Sequence, residues 1–271
     1  MQTGHHAPGS SRIHYSCWGT GPRLLFCFHG YGESADTFFF LTEHLGKDYT
    51  LIAFDLPFHG QTDWQGSLFF DPVHLVAQME EISTGLSDRT APWTLLGYSM
   101  GGRVALHLLQ LAPEKIGRLL LLAPDGLTLN PWYWLATQTR PGNHLFRLTM
   151  HHPGWLFLLL RIGNALRLVN PGIYKFAIRY IDNIEIRQNL FVRWTIMRGF
   201  RPRLALVREI IRIRNIPVRL LYGRYDRIIR AERGNRFRKG IENQCSIRLL
   251  PTGHQLLQTG SLEVLLAMLT S

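Results

Sequence analysis

Leu95-Leu-Gly-Tyr-Ser-Met-Gly-Gly102 ends an apolar run in a Gly-x-Ser-x-Gly turn, and that spacing nominates Ser99 as a nucleophile. A serine on a tight strand-to-helix turn sits in a strained backbone conformation, tolerable only where the positions two before and two after lack bulk; Gly97 and Gly101 meet that need. Such a turn lifts Oγ out of a sheet and aims the next amide, the Met100 N–H, at the place where an oxyanion would form. Two further groups follow in the order that this chemistry uses. Gly223-Arg-Tyr-Asp226 follows the apolar run Val218–Tyr222, and Pro251-Thr-Gly-His254 follows Ser246–Leu250, giving Ser…Asp…His along the chain. His254 is expected to take the proton of Ser99, and Asp226 to fix the imidazole tautomer and stabilise the imidazolium. Asp125, after the run Leu119–Ala123, is a rival for the acid. The Tyr31 N–H, in Phe28-His-Gly-Tyr-Gly32, is the expected second oxyanion donor.

These groups need a frame. Arg23–Phe28, Leu51–Asp55, Trp93–Leu96, Leu119–Ala123, Val218–Tyr222 and Ser246–Leu250 are short continuous apolar runs, as strands buried on both faces should be. Stretches such as Pro72–Leu86 and Gly102–Leu111 are long enough for crossover helices, so the predicted class is α/β with a mostly parallel, doubly wound sheet. Catalytic groups in such sheets belong at the carboxyl ends of strands. Arg12–Trp18 reads as an added antiparallel edge strand with no strand before it, and Met1–Ser10 as a mobile tail. The interval from Ala123 to Val218 far exceeds a crossover and must hold an inserted subdomain. Within it, Trp155–Val169 and Tyr174–Arg187 show helical spacing of apolar residues, with Pro153, Pro171 and Pro202 as breaks.

Charge marks the same insertion. Residues 128–214 hold 14 Lys and Arg against 3 Asp and Glu, which accounts for the whole net charge of +11; the remainder has 16 of each sign. The predicted organisation is therefore a core of residues 1–127 and 215–271 with a basic helical cap over 128–214. On one reading the arginines coat solvent faces of amphipathic helices; on another, a positive, Trp-rich lid docks on anionic lipid or draws in anionic substrates. No nucleic-acid module is present, so no nucleic-acid partner is expected. Three cysteines, Cys17, Cys27 and Cys245, follow no metal-ligand spacing and read as reduced, buried thiols. Met1–Ser10 lacks a basic region followed by an apolar one, so the expected location is the cytoplasm.

With His29-Gly30-Tyr31, Asp55-Leu-Pro-Phe-His59-Gly60, Gly97-Tyr-Ser99-Met-Gly101, Gly223-Arg-Tyr-Asp226 and Gly253-His254 together, the chain resembles the α/β-hydrolase fold superfamily over nearly all of its length outside the insertion. The resemblance implies the family's eight-strand sheet order, a cap inserted after the sixth strand, and no metal or organic cofactor. The sequence departs from the pattern at Phe58, where a glycine is usual. His29, Asp55 and His59 are expected to brace loops, and His151-His152 to be a solvated pair. Arg103 has two readings, a salt bridge beside the elbow or a grip on a substrate carboxylate.

The expected activity is cleavage of a small-molecule carboxylic ester or thioester, anionic or lipid-like, through an acyl-enzyme. Serine in place of aspartate argues against dehalogenase or epoxide hydrolase chemistry. The alternatives are a lyase similar to the menaquinone-pathway succinyl-hydroxycyclohexadiene-carboxylate synthase, whose elbow resembles Gly97-Tyr-Ser-Met-Gly-Gly-Arg103, a C–C bond hydrolase, and a non-catalytic ligand-binding member of the fold.

Overall fold

A computed structural model describes residues 2–6, 11–86, 91–128, 130–166, 168, 174 and 181–270. Its strands are β1 (Gln2–His6), β2 (Ile13–Trp18), β3 (Arg23–Phe28), β4 (Tyr49–Phe54), β5 (Trp93–Tyr98), β6 (Ile116–Leu122), β7 (Val218–Gly223) and β8 (Cys245–Leu250). They form one eight-stranded sheet in the order β1-β2-β4-β3-β5-β6-β7-β8. β1 and β2 run antiparallel to their neighbours, and every pairing from β4 to β8 is parallel. All six residues of β4 and of β5 are buried, as continuous apolar runs covered on both faces require.

One expectation fails at the edge. Residues 2–6 are not a tail: β1 pairs with β2 in register from Gln2 opposite Cys17 to His6 opposite Ile13. A strand added to an open edge is held by main-chain hydrogen bonds, so Gln-Thr-Gly-His-His can pair without any apolar alternation.

The helices between parallel strands begin where local chemistry sets them. α1 is the short turn Thr42–Leu45. α2 (Pro72–Gly85) has Pro at its start and Asp71 as its cap, whose carboxylate accepts from the Val73 N–H at 3.0 Å. α3 (Met100–Leu111) follows the Ser99 turn with no side-chain cap, and nearly all of its residues are buried. Beyond β6 come α4 (Pro131–Gln138), α5 (Arg140–His151), α6 (Gly154–Ala165), α7 (Ile184–Ile196) and α8 (Leu204–Ile213). α9 (Glu232–Arg238) lies between β7 and β8, and α10 (Leu262–Thr270) ends the described chain. Pro153 precedes α6 and Pro202 lies between α7 and α8; Pro171, and residues 175–180 of the helix expected over Tyr174–Arg187, lie outside the described residues.

The chain divides into two compact units: residues 1–66, 71–128 and 199–271, which hold the sheet, and residues 67–70 with 129–198, which hold α4 to α7. The main segment of the second unit follows the sixth strand. Compactness and charge draw its far limit differently, because the basic stretch 128–214 includes α8, which belongs with the sheet and packs on α3. Ser67–Phe70 joins the second unit from a distance in sequence, tied by the Phe70 N–H to Ile196 O at 3.1 Å.

Candidate active site

The Ser99 turn is strained, and the structure shows what holds it. Ser99 has φ 49° and ψ −112°, a region that costs an L-residue of order 1–3 kcal/mol. Its N–H donates to Leu122 O at 2.9 Å, and its carbonyl accepts from Gly102 N at 2.9 Å and Asp125 N at 2.8 Å. The glycines around it are required by close approach of backbone. A Cβ on Gly101 would stand 1.9 Å from Phe28 O, and one on Gly97 would stand 2.5 Å from Gly101 O. Gly102 is in the same position, with a Cβ there reaching 2.4 Å from Pro124 Cβ. The elbow thus seats against the ends of β3 and β6.

His254 and Asp226 complete a relay. His254 Nε2 lies 3.1 Å from Ser99 Oγ, and its Nδ1 lies 2.7 Å from Asp226 Oδ2. Ser99 and His254 are half-buried, whereas the Asp226 side chain has no exposed surface. The other oxygen of Asp226, Oδ1, accepts from Ile228 N at 2.7 Å and Ile229 N at 2.9 Å. Both loops are stitched together: Arg224 N donates to Leu250 O at 2.7 Å and Tyr225 N to Thr252 O at 2.9 Å. Gly223 permits this, since a Cβ there would lie 1.9 Å from Gly253 O.

Asp125 is turned to another partner. Its Oδ2 lies 2.5 Å from Arg103 Nη2, and its Oδ1 accepts from Gly126 N at 2.7 Å. The Arg103 side chain is only 12% exposed, so the carboxylate it grips is the internal one of Asp125. Of the two candidates, the acid at His254 is Asp226.

Met100 supplies the first amide of α3, which has no acceptor inside its own helix. Tyr31 sits in the turn that Glu33 N closes on Gly30 O at 3.4 Å. The loops beneath are braced as expected. His29 Nε2 accepts from Leu56 N at 3.0 Å, and His59 Nδ1 lies 2.9 Å from Pro57 O. Buried Asp55 accepts from Ala35 N at 2.6 Å and Gln61 N at 2.8 Å, and meets His14 Nδ1 at 2.8 Å. A Cβ on Gly60 would collide with that carboxylate, 2.1 Å from Cγ. At the departure point, Phe58 takes φ 63°, the left-handed conformation a glycine would adopt freely.

Two groups escaped the sequence reading. Tyr98, the first variable residue of the Gly-x-Ser-x-Gly turn, has its hydroxyl 3.1 Å from His254 O and 3.2 Å from Gln255 Oε1, two acceptors that share its one proton. Burial, with Glu33 and Asp226 nearby, pushes its phenol well above the ordinary tyrosine range, so it remains a donor. Glu33 accepts from Gly30 N at 3.1 Å and from Gln255 Nε2 at 3.4 Å, linking the Tyr31 turn to the His254 loop. Burial raises its carboxyl, against the opposing effects of its Gly30 and Gln255 hydrogen bonds and of His254. The sequence signal for each is position alone: Tyr98 stands inside the Gly-x-Ser-x-Gly turn, and Glu33 directly follows Phe28–Gly32.

The three cysteines are buried; burial pushes the Cys245 thiol up to about 12 and raises Cys27 further. Among the described residues, no three His, Cys, Asp or Glu side chains gather as a metal site would need.

An acid, a histidine and a strained serine in relay, with the first amide of α3 next to the serine, can generate an alkoxide-like nucleophile and receive the oxyanion it creates. Comparison with known proteins meets this arrangement at the level of family. A model described as the alpha/beta hydrolase fold matches residues 23–260. The chain is similar to the "Uncharacterized hydrolase YugF" of Bacillus subtilis, 27% identical over 237 residues covering 86% of this chain and 84% of that protein. It is also similar to a pimeloyl-[acyl-carrier protein] methyl ester esterase of Vibrio parahaemolyticus, 29% identical over 45% of this chain and 46% of the esterase. Among solved structures, a thermophilic esterase from Thermogutta terrifontis superposes with a TM-score of 0.68 at 17% identity, covering 100% of this chain and 98% of the esterase. Strand order, elbow and a family match spanning most of the sequence lead to one conclusion: the chain belongs to the alpha/beta hydrolase fold family and is a hydrolase of that fold.

Proposed function

We propose that the protein is a serine hydrolase that cleaves a carboxylic ester or thioester through an acyl-enzyme. The observation that carries the proposal is the relay, Ser99 Oγ to His254 Nε2 at 3.1 Å and His254 Nδ1 to Asp226 at 2.7 Å. Ser99 attacks the acyl carbon while His254 takes its proton. Asp226 holds the imidazole with its proton on Nδ1, leaving Nε2 free to accept. The Met100 and Tyr31 N–H groups receive the oxyanion, each such donor contributing roughly 3–4 kcal/mol to transition-state stabilisation. His254 then protonates the leaving alcohol or thiol, and activates the water that releases the acid. The similarities to esterases support the ester class.

Fluorophosphonate labelling of wild type and Ser99→Ala, followed by turnover of p-nitrophenyl esters of increasing acyl length, tests this. Wild type should label and Ser99→Ala should not. No labelling of the folded wild type, or labelling that survives Ser99→Ala, would overturn the assignment. Labelling without ester turnover would point to the lyase.

A further inference from the structure

Composition and burial are at odds in α6. Its sequence, Gly-Trp-Leu-Phe-Leu-Leu-Leu-Arg-Ile-Gly-Asn-Ala, is apolar enough for a core, yet none of its residues is buried. Trp155, Leu158, Leu159, Ile162 and, one turn on, Leu166 are 40%, 59%, 56%, 47% and 63% exposed. Steps of three and four residues place them along one stripe of the helix. Leu156, Phe157 and Leu160 are half-buried on another side. Neighbouring α5 adds exposed Leu145 and Leu148. A continuous apolar stripe facing solvent marks a surface meant for contact.

Charge identifies the occupant. Residues 129–198 carry nine Lys and Arg against Asp182 and Glu185, a surplus of seven. Two such units brought face to face would repel, which disfavours a second copy of this chain, whereas an anionic lipid surface attracts them. Arg161, exposed within α6, can keep its guanidinium among phosphates while its stem follows the apolar stripe. Trp155, at the helix start, is the residue type favoured at the boundary of headgroup and hydrocarbon. The helix has 12 residues and is too short to cross a bilayer, and no helix among the described residues is long and apolar enough to do so.

We infer that α6 docks on the surface of an anionic lipid bilayer, lying in the plane of the interface with Trp155, Leu158, Leu159, Ile162 and Leu166 inserted below the headgroups. The inference is independent of the chemistry proposed for Ser99.

Co-sedimentation of the full chain with vesicles of phosphatidylcholine containing phosphatidylglycerol, and with vesicles of phosphatidylcholine alone, tests it. Wild type should partition onto the anionic vesicles at least about tenfold more strongly, and more weakly as salt rises. The double variant Leu159→Glu/Ile162→Glu should lose at least about tenfold in partition while keeping its melting temperature, because both positions face solvent in the free protein. Absence of wild-type binding at low salt would overturn the inference, as would equal binding to the neutral vesicles or an unchanged double variant. A solution dimer that the double variant abolishes, without vesicle binding, would assign the stripe to a second copy instead.

Discussion

Replacing Asp226 by asparagine tests the relay more sharply than deleting it, because the surroundings dictate how the amide must sit. Oδ1 accepts two main-chain donors, Ile228 N at 2.7 Å and Ile229 N at 2.9 Å. An NH2 group placed there would face both and leave two main-chain donors unsatisfied, the buried one of Ile229 at about 1–3 kcal/mol. The amide oxygen therefore stays at Oδ1, and the NH2 takes the place of Oδ2, 2.7 Å from His254 Nδ1. Nδ1 must now accept, the imidazole proton moves to Nε2, and Nε2 presents a hydrogen to Ser99 Oγ instead of a lone pair. A neutral imidazole in that tautomer cannot act as the base. The expected loss is about ten-thousandfold in kcat, or roughly 5.5 kcal/mol on the barrier. Thermal stability should change little, since both backbone hydrogen bonds survive. Steady-state hydrolysis of a p-nitrophenyl ester measures the loss, with Asp125→Asn as the companion variant, expected to fall by less than about tenfold because its carboxylate serves Arg103. An Asp226→Asn enzyme within tenfold of wild type, or a larger loss for Asp125→Asn, would refute the reasoning.

Gly101→Ala places a methyl 1.9 Å from Phe28 O, so the start of α3 must move off the end of β3. Denaturant unfolding should show a loss of at least about 3 kcal/mol, and an unchanged midpoint would contradict the packing described. Asp55→Ala strips the acceptor from Ala35 N, Gln61 N and His14, and should cost about 3–5 kcal/mol of stability; a loss under about 1 kcal/mol would remove Asp55 from the bracing network. His107 titrates below the ordinary histidine value of 6.5, chiefly because burial disfavours its charged form, while Nδ1 meets Arg201 N at 3.2 Å. On acidification through 6.5 the unfolded chain binds a proton that the folded ring refuses, so stability falls as pH drops. The melting temperature of His107→Gln should decline less steeply than that of wild type between about pH 7 and pH 5, and parallel curves would show that another group sets the slope.

What the sequence reveals follows from where side chains alone decide structure. The central strands are legible because burial on both faces demands unbroken apolar runs, and turn residues end each of them. Ser99, Asp226 and His254 stand directly after such runs, so their convergence can be anticipated. Choosing between Asp226 and Asp125 needs three dimensions, because both follow a strand and only contact shows that Arg103 engages Asp125. β1 is silent in sequence since its pairing is made by backbone. The role of Gly223 is hidden for a related reason: it depends on Gly253 O, which approaches from another strand end. In α6 the helical spacing is visible, but the same pattern describes a core helix, and only exposure separates the two. Phe58 shows that the Asp55 loop keeps its left-handed residue even without glycine.

The three main-chain hydrogen bonds around Ser99 also bear on when the energy of its strained backbone is incurred. With its N–H held by Leu122 O and its carbonyl by Gly102 N and Asp125 N, the residue cannot relax unless the end of β6 and the first turn of α3 separate. On the role proposed for Ser99, the reorganisation that would otherwise accompany each attack is completed once, when the polypeptide folds, and each encounter with substrate would begin from a nucleophile already in place. Heat or denaturant that loosens this junction should silence Ser99 before the sheet as a whole gives way.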